Sequence, residues 1–256
     1  DNDKCPFRFY DIKRIPKKEV RLTKYPVDIE INMPSTFCNI GGTNPTPETA
    51  CIMCPRSSLQ FMSQVGPDIL DDILEEVKKA MPNVQQLSIL GIAEPFYKNR
   101  IFDVFKKLNF IEHRDNILFW TFCNGTIFTG RAQDRLLDIV RHVNLGFSID
   151  AGTAETYKKI RRLDYFDKIK ANLTLYFKKV KERDEINDFS YTTNNINLYN
   201  VNELKEMIDL GIEVGANSTQ YTLTMKYQAD LKIDDSKLCN SEHIPLSTYP
   251  FIQKSI

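Results

Sequence analysis

Apolar positions along the chain recur in two alternating rhythms. Val27-Asp28-Ile29-Glu30-Ile31 alternates apolar and acidic with a period of two, the mark of a half-buried strand. Gly66-Pro67 then opens a helix in which Ile69, Leu70, Ile73, Leu74 and Val77 recur at helical spacing. Pro67 suits the first turn, where its missing N–H costs nothing. Asp68, Asp71 and Asp72 lie early and Lys78 and Lys79 late, as the helix dipole favours, and Pro82 ends the run.

The same alternation continues downstream. Strands are predicted over 84–90, 117–122, 143–149 and 189–198, with a last strand region over 212–224. Helices are predicted over 101–108 and 131–140, and from Thr153 to about 181 with a break near Asp164. A final helix over 201–210 is expected to stop at Gly211, a good C-terminal stop. Strand–helix alternation of this kind implies a parallel sheet with right-handed crossovers. Apolar strands such as Ile117-Leu118-Phe119-Trp120-Thr121-Phe122 fit a covered sheet. The fold class is therefore α/β, laid out either as an open doubly wound sheet or as a curled, partial (β/α)6 TIM-like barrel. Both place ligands at the C-terminal ends of the strands. The domain reading is an N-terminal arm over 1–26, a barrel over 27–224 and a short C-terminal appendage over 225–256, either complete in itself or the start of an auxiliary module.

Composition changes this picture little. With 256 residues the chain suits one large domain with a short appendage. The 34 basic and 34 acidic residues balance, so no net charge draws the protein to nucleic acid or to an anionic membrane. No apolar run approaches a membrane span. The chain starts at Asp1 rather than Met, which reads as a fragment, and no signal-peptide pattern is present. The basic run Lys158, Lys159, Arg161 and Arg162 reads as a solvated helix face.

The cysteines change it more. Of six, Cys38, Cys51 and Cys54 gather just past the first strand, twelve residues lying between Cys38 and Cys51. Six thiols in a chain of this length are too sparse for a secreted disulfide scaffold and point to a reducing, cytoplasmic compartment and a metal. Structural zinc wants four protein ligands, and a cubane iron–sulfur cluster takes up to four thiolates. Three thiols without a fourth nearby suggest a metal centre with an open position for a small molecule. The competing reading is a zinc site completed by His113, His142, His243 or Cys239, in a binding module whose metal is purely structural.

Polar groups also collect at the predicted strand ends: Gly91-Ile92-Ala93-Glu94-Pro95, then Cys123-Asn124-Gly125-Thr126, then Ser148-Ile149-Asp150, then Asn194, Asn195, Asn197 and Asn200. With these motifs in order, the stretch 27–224 resembles the radical S-adenosylmethionine (radical SAM) enzyme superfamily. The Gly-Ile-Ala-Glu-Pro run is similar to that family's Gly-Glu-Pro motif. Cys123-Asn124-Gly125-Thr126 is similar to its Thr-Asn-Gly-Thr. Phe147-Ser148-Ile149-Asp150 with Glu155 to Arg161 is similar to its Ser-x-Asp strand end and following helix. The family usually spaces its first two cysteines by three residues, so the twelve here are a departure, as are Met53 before the last cysteine and Ile92-Ala93 inside the second motif.

The resemblance implies a [4Fe–4S] cluster on Cys38, Cys51 and Cys54, S-adenosyl-L-methionine as the second cofactor, and reductive formation of a 5′-deoxyadenosyl radical that abstracts hydrogen from a substrate. It implies that Glu94 accepts from the cofactor's amino group with backbone near Gly91 or Ala93 assisting, while Pro95 fixes the chain direction after the strand. Ser148 and Asp150 would meet the ribose or carboxylate, Arg161 the carboxylate, and Asn124 the adenosine pocket. Asp150 alternatively reads as the cap of the helix starting at Thr153. Cys123 is a candidate hydrogen donor to a substrate radical, with Tyr191, Tyr199 and Tyr221 as alternatives and simple packing as the plainer role. Substrates of the implied class are peptides undergoing modification, or sugars and aminocyclitols undergoing dehydrogenation or epimerisation. The electron donor would be a flavodoxin or ferredoxin. The residues 39–50 are expected to form an extended loop over or beside the cluster.

Overall fold

The structure is a computed structural model that describes residues 27–32, 38–42, 45–46, 48–54, 56, 67–91 and 93–223. The N-terminal arm, the C-terminal appendage with Cys239 and His243, and Cys5 lie outside the described residues.

Among the described residues, β1 (Asp28–Asn32), β2 (Gln86–Leu90), β3 (Leu118–Cys123), β4 (His142–Ser148), β5 (Asn187–Asp188), β6 (Tyr191–Ile196) and β7 (Thr219–Leu223) form one parallel sheet. Its order is β1-β2-β3-β4-β6-β7, with the two-residue β5 pairing with the start of β4. The helices are α1 (Pro67–Ala80), α2 (Arg100–Lys107), α3 (Gly130–Ile139), α4 (Ala154–Arg161), α5 (Phe166–Lys181) and α6 (Leu204–Val214).

The strand order decides between the two layouts. A doubly wound sheet reverses direction after its first strands, whereas here each strand is laid beside its predecessor. Right-handed crossovers that always advance the same way put every helix on one face. The other face is left concave, as in a TIM-like curl of the barrel type, and β1 and β7 do not close on each other. The partial barrel is thus observed, as an open one.

The alternation of side chains shows which face is which. Leu87, Ile89, Phe119, Val143, Leu145 and Phe147 are fully buried and join the helix residues Phe102, Phe105, Leu136, Leu173 and Tyr176 in one apolar core. Aromatic rings run through it: Phe105 meets Phe119 edge-on at 4.9 Å, and Phe147 meets Tyr176 at 5.4 Å. Each such ring contributes about 2–3 kcal/mol by burial. The opposite parity carries Ser88, Trp120, Phe122, Asn144 and Tyr191 on the concave face. Gly146 belongs to that face for a steric reason: a Cβ there would lie 2.5 Å from the Phe122 ring.

Two boundaries differ from the sequence expectation. Gly211 does not end the last helix. The turn 201–203 is a 3-10 turn, α6 runs on to Val214, and Gly215 in the left-handed region (φ 82°) caps it. Gly211 is instead a close-packing position, since a Cβ there would lie 2.2 Å from Thr219 Oγ1. The residues 212–214 are consequently helical, and the last strand starts at Thr219. The expected break near Asp164 is real: α4 ends at Arg162, which takes left-handed backbone (φ 62°). No helix among the described residues is long and apolar enough to cross a membrane.

Candidate active site at the strand ends

The cysteine loop leaves the C-terminal end of β1, and two sets of contacts anchor it. Asn39 donates from Nδ2 to Thr126 Oγ1 at 2.7 Å and accepts from Asn124 Nδ2 at 3.0 Å, which ties the Cys38 side to the end of β3. Asn124 in turn accepts from the Thr126 N–H and hydroxyl. On the other side, the Ile52 N–H donates to the Ile160 carbonyl at 3.0 Å, and Arg161 Nη1 donates to Cys51 Sγ at 3.6 Å. Its described residues are not extended. Ile40 and Ala50 are buried, Gly41 and Gly42 take consecutive left-handed conformations, and Thr49 and Ala50 turn back onto the Thr46 carbonyl.

Cys38, Cys51 and Cys54 are free thiols. Cys51 is close enough to act electrostatically on both of the others. Burial, then the Glu94 carboxylate, push the Cys38 thiol up to about 12, and burial also raises Cys54. Among the described residues no group of three or more His, Cys, Asp or Glu side chains is disposed to hold a metal ion outright. The donor chemistry nonetheless fits an iron–sulfur cluster: three soft sulfur ligands stand on one anchored loop, with no fourth among them. A buried, unpartnered Tyr157 hydroxyl and the unpartnered Nε of Arg161 lie in the same electrostatic neighbourhood as Cys51. Buried polar atoms of this kind are satisfied by a water, an ion or a polar ligand.

Arg161 is buried rather than part of a solvated face, although Lys158, Lys159 and Arg162 around it are exposed. Its guanidinium pairs with Asp150 and donates from Nη2 to the Ser148 carbonyl at 2.9 Å. Burial works against the charge, but the Asp150 carboxylate outweighs it and holds Arg161 protonated. Asp150 is not the helix cap. Thr153 fills that position, accepting from the Thr156 N–H at 3.3 Å. Asp150 instead sits fully buried in left-handed backbone (φ 63°), held by asparagines. Its N–H donates to Asn194 Oδ1 at 3.0 Å, its carboxylate accepts from the Asn195 N–H at 2.7 Å, and its carbonyl accepts from Asn200 Nδ2 at 2.9 Å.

Glu94 lies between β2 and β3 and is 1% exposed. Its Oε2 accepts from the Asn124 N–H at 2.7 Å and its Oε1 from the Phe96 N–H at 3.3 Å. Burial lifts its carboxyl to about 7 in spite of these bonds. Gly91 takes left-handed backbone (φ 102°) just after β2, and Pro95 is buried behind Glu94.

Cys123 has the parity of Phe119 and Thr121 and belongs to the helix-side core at 1% exposure. Its Sγ accepts from the Gly125 N–H at 3.2 Å, and Glu94 engages it from the side. This packing fits the plainer of its two roles, and Cys123 also lies within electrostatic reach of Cys38. Tyr221 is on the helix side as well, donating to the Leu204 carbonyl at 3.2 Å. Tyr199 lies under Lys159.

The zinc alternative loses two of its candidate ligands. His142 begins β4 and His113 precedes β3, so both stand at the N-terminal end of the sheet. At about 3.3 Å per residue, the length of a strand separates that end from the cysteines. Sequence reasoning did not single out Tyr157, Arg56, Asn39 or Glu203 as parts of this end of the molecule. Asn39 beside Cys38, Arg56 two residues after Cys54 and Tyr157 within the 155–161 run carried a positional hint.

No protein-family model matches the sequence, and no curated protein matches it closely enough to be called a relative. Solved structures do match in fold. Native anSMEcpe with bound AdoMet and Cp18Cys peptide is 18% identical with a TM-score of 0.56, over 81% of this chain and 54% of that one. Native anSMEcpe with bound AdoMet is 19% identical with a TM-score of 0.57, over 82% and 56%. The chain spans about half the length of these structures. The fold of this chain is therefore shared with a protein that binds AdoMet.

Proposed function

We propose that the chain is a radical SAM enzyme that cleaves S-adenosyl-L-methionine reductively and uses the resulting 5′-deoxyadenosyl radical to take hydrogen from a substrate. One observation carries the reading. The loop bearing Cys38, Cys51 and Cys54 is bonded through Arg161 and Ile52 to the end of the helix that also holds Asp150, so the sulfur donors and the polar strand ends form one site. The AdoMet bound in anSMEcpe, a protein of the same fold, supports it.

In this reading Cys38, Cys51 and Cys54 hold a [4Fe–4S] cluster. Once bound, that cluster supplies the electron that breaks the sulfonium carbon–sulfur bond. The protein's part is orientation and exclusion of water. Asp150 and Arg161 present a carboxylate and a guanidinium whose positions the asparagines fix, which suits the ribose hydroxyls and the carboxylate of the cofactor. Ser148 stands beside them. Gly91, Glu94 and Pro95 form the adjoining wall toward the cofactor's amino group, and Asn124 links that wall to the cysteine loop. The concave face, lined by Trp120, Phe122, Asn144 and Tyr191, receives the substrate. Of the expected substrate classes, a peptide has the support of the peptide complex of anSMEcpe. A flavodoxin or ferredoxin in a reducing, cytoplasmic compartment would deliver the electron.

The test is anaerobic reconstitution with iron and sulfide, followed by dithionite and S-adenosyl-L-methionine. Release of 5′-deoxyadenosine that disappears in Cys54→Ala is expected. Release that survives in C54A, or one equivalent of zinc with no iron–sulfur absorbance, overturns the reading.

A further inference from the structure

The long interval between Cys38 and Cys51 raises a physical problem. A flexible loop of that length leaves its ends far apart on average, and closing it costs conformational entropy. Metal-site geometry needs those ends together before the metal arrives, or the metal's own binding energy must do the closing. The structure holds a device that meets this cost.

Arg56 is 6% exposed. Its Nη1 donates to the Ile40 carbonyl at 2.7 Å, and its Nη2 donates to the Gly42 carbonyl at 2.5 Å. Ile40 and Gly42 lie two and four residues past Cys38, and Arg56 lies two past Cys54. One planar guanidinium thus spans both ends of the cysteine segment. The acceptors are presented by a special backbone. Gly41 and Gly42 have φ of 76° and 67°, conformations that side chains disfavour, and a Cβ on Gly41 would lie 2.9 Å from Pro45 Cβ and 3.3 Å from the Ala50 backbone. The Ile40 N–H is itself spent on Cys38, and the Ile40 side chain is buried. Arg56 therefore grips the turn that carries Cys38, while Cys51 is gripped separately by Arg161.

We propose that Arg56 is a positioning residue: its forked grip on the Ile40 and Gly42 carbonyls closes the twelve-residue interval and keeps the turn that carries Cys38 beside the Cys51–Cys54 end of the loop before any cluster is bound. The consequence for cluster assembly rests on the proposed function. The closure itself does not, because it concerns the metal-free chain. The fork matters. A lysine is a point donor and cannot bridge two carbonyls in fixed geometry.

Treating the metal-free protein with dibromobimane, which links thiols only a few ångströms apart, tests the closure. Mass spectrometry of the digest then reports the link from Cys38 to Cys51 or Cys54, and the Cys51–Cys54 link serves as an internal control. The rate of the Cys38 link is expected to fall about tenfold or more in both Arg56→Ala and Arg56→Lys, the size expected for losing charge-assisted hydrogen bonds, with the control link unchanged. Gly41→Ala, which attacks the same turn without touching Arg56, should slow the Cys38 link likewise. Far-ultraviolet circular dichroism identifies any variant that has not folded. R56K and G41A each decide the matter if R56A is such a variant. A Cys38 link that forms at the wild-type rate in folded R56K or R56A, or that never forms in the wild type, overturns the proposal. Iron and sulfide uptake read in parallel separates the two claims. An Arg56-dependent link with no cluster uptake leaves the closure standing and removes the radical SAM reading. Uptake that R56A leaves unchanged removes the closure's role in assembly.

Discussion

Arg161 reaches from the last turn of α4 to the carboxylate of Asp150, forming an ion pair in which the two side chains are 10% and 0% exposed. The pair joins the end of β4 to the helix that follows it, and Arg161 extends the link to Cys51. Burying two charges is tolerable here because each has further partners: the Ser148 carbonyl for one, the Asn195 N–H for the other.

Removing one partner leaves the other charge buried and uncompensated. Arg161→Met is expected to lower unfolding free energy by about 3–5 kcal/mol. The double variant with Asp150→Asn should lose less than the sum of the two single losses, because the charges are coupled. Urea unfolding of the four proteins measures both, and additive losses would show that the pair is not coupled.

Glu94 gives a pH dependence with a definite sign. Its carboxyl titrates near 7 in the folded protein against an ordinary 4.5. Below 4.5 both states are protonated and burial carries no penalty. As pH rises toward 7 the unfolded chain releases the proton while the folded one keeps it, so stability falls, and the loss levels off above about 7. The full span corresponds to about 3 kcal/mol. Glu94→Gln faces the Asn124 and Phe96 N–H groups with a donor of its own, which costs a constant amount. The difference in stability between wild type and E94Q should therefore shrink from pH 4.5 to 7. A difference that is flat across this window would show that the Glu94 pKa is not raised.

Glu203 is the unannounced clamp of the site. Its carboxylate accepts from the N–H groups of Gly152 and Thr153 and from the hydroxyls of Thr153 and Thr156, so it seals the start of α4. Glu203→Ala is expected to cost about 1–3 kcal/mol, because it strands buried donors. Denaturant melts should show a lower midpoint with an unchanged slope. Protection from hydrogen exchange should fall first at residues 152–156.

Gly211 should be intolerant of alanine in spite of its helical setting. Alanine there gains about 0.5–1 kcal/mol of helix propensity but drives a methyl into Thr219 Oγ1. Gly211→Ala is expected to destabilise, and Thr219→Ala added to it should recover much of the loss, since the remaining neighbours stand at 3.4 Å and 3.6 Å. Thermal melts that rank the double variant below G211A would contradict this packing.

The sequence alone determined the alternation of elements, because a period of two and a period of 3.6 are local properties of the chain. It marked the helix from Pro67, the break near Asp164, and the strand-end motifs by their order. Gly211 misled because a glycine late in a helix looks the same in sequence whether it caps or packs, and only Thr219, eight residues on, distinguishes the two. Arg161 had two readings in the sequence, a solvated face with Lys158, Lys159 and Arg162 or a site residue, and only its position beneath Cys51 and beside Asp150 buries it. The parity of Cys123 likewise becomes meaningful only when the helices have chosen a face. The three cysteines were legible as an incomplete ligand set. What closes the distance from Cys38 to the others was not, because two backbone carbonyls have no sequence signature. That depends on the fold returning Arg56 to the Ile40–Gly42 turn, where the grip exists only in three dimensions.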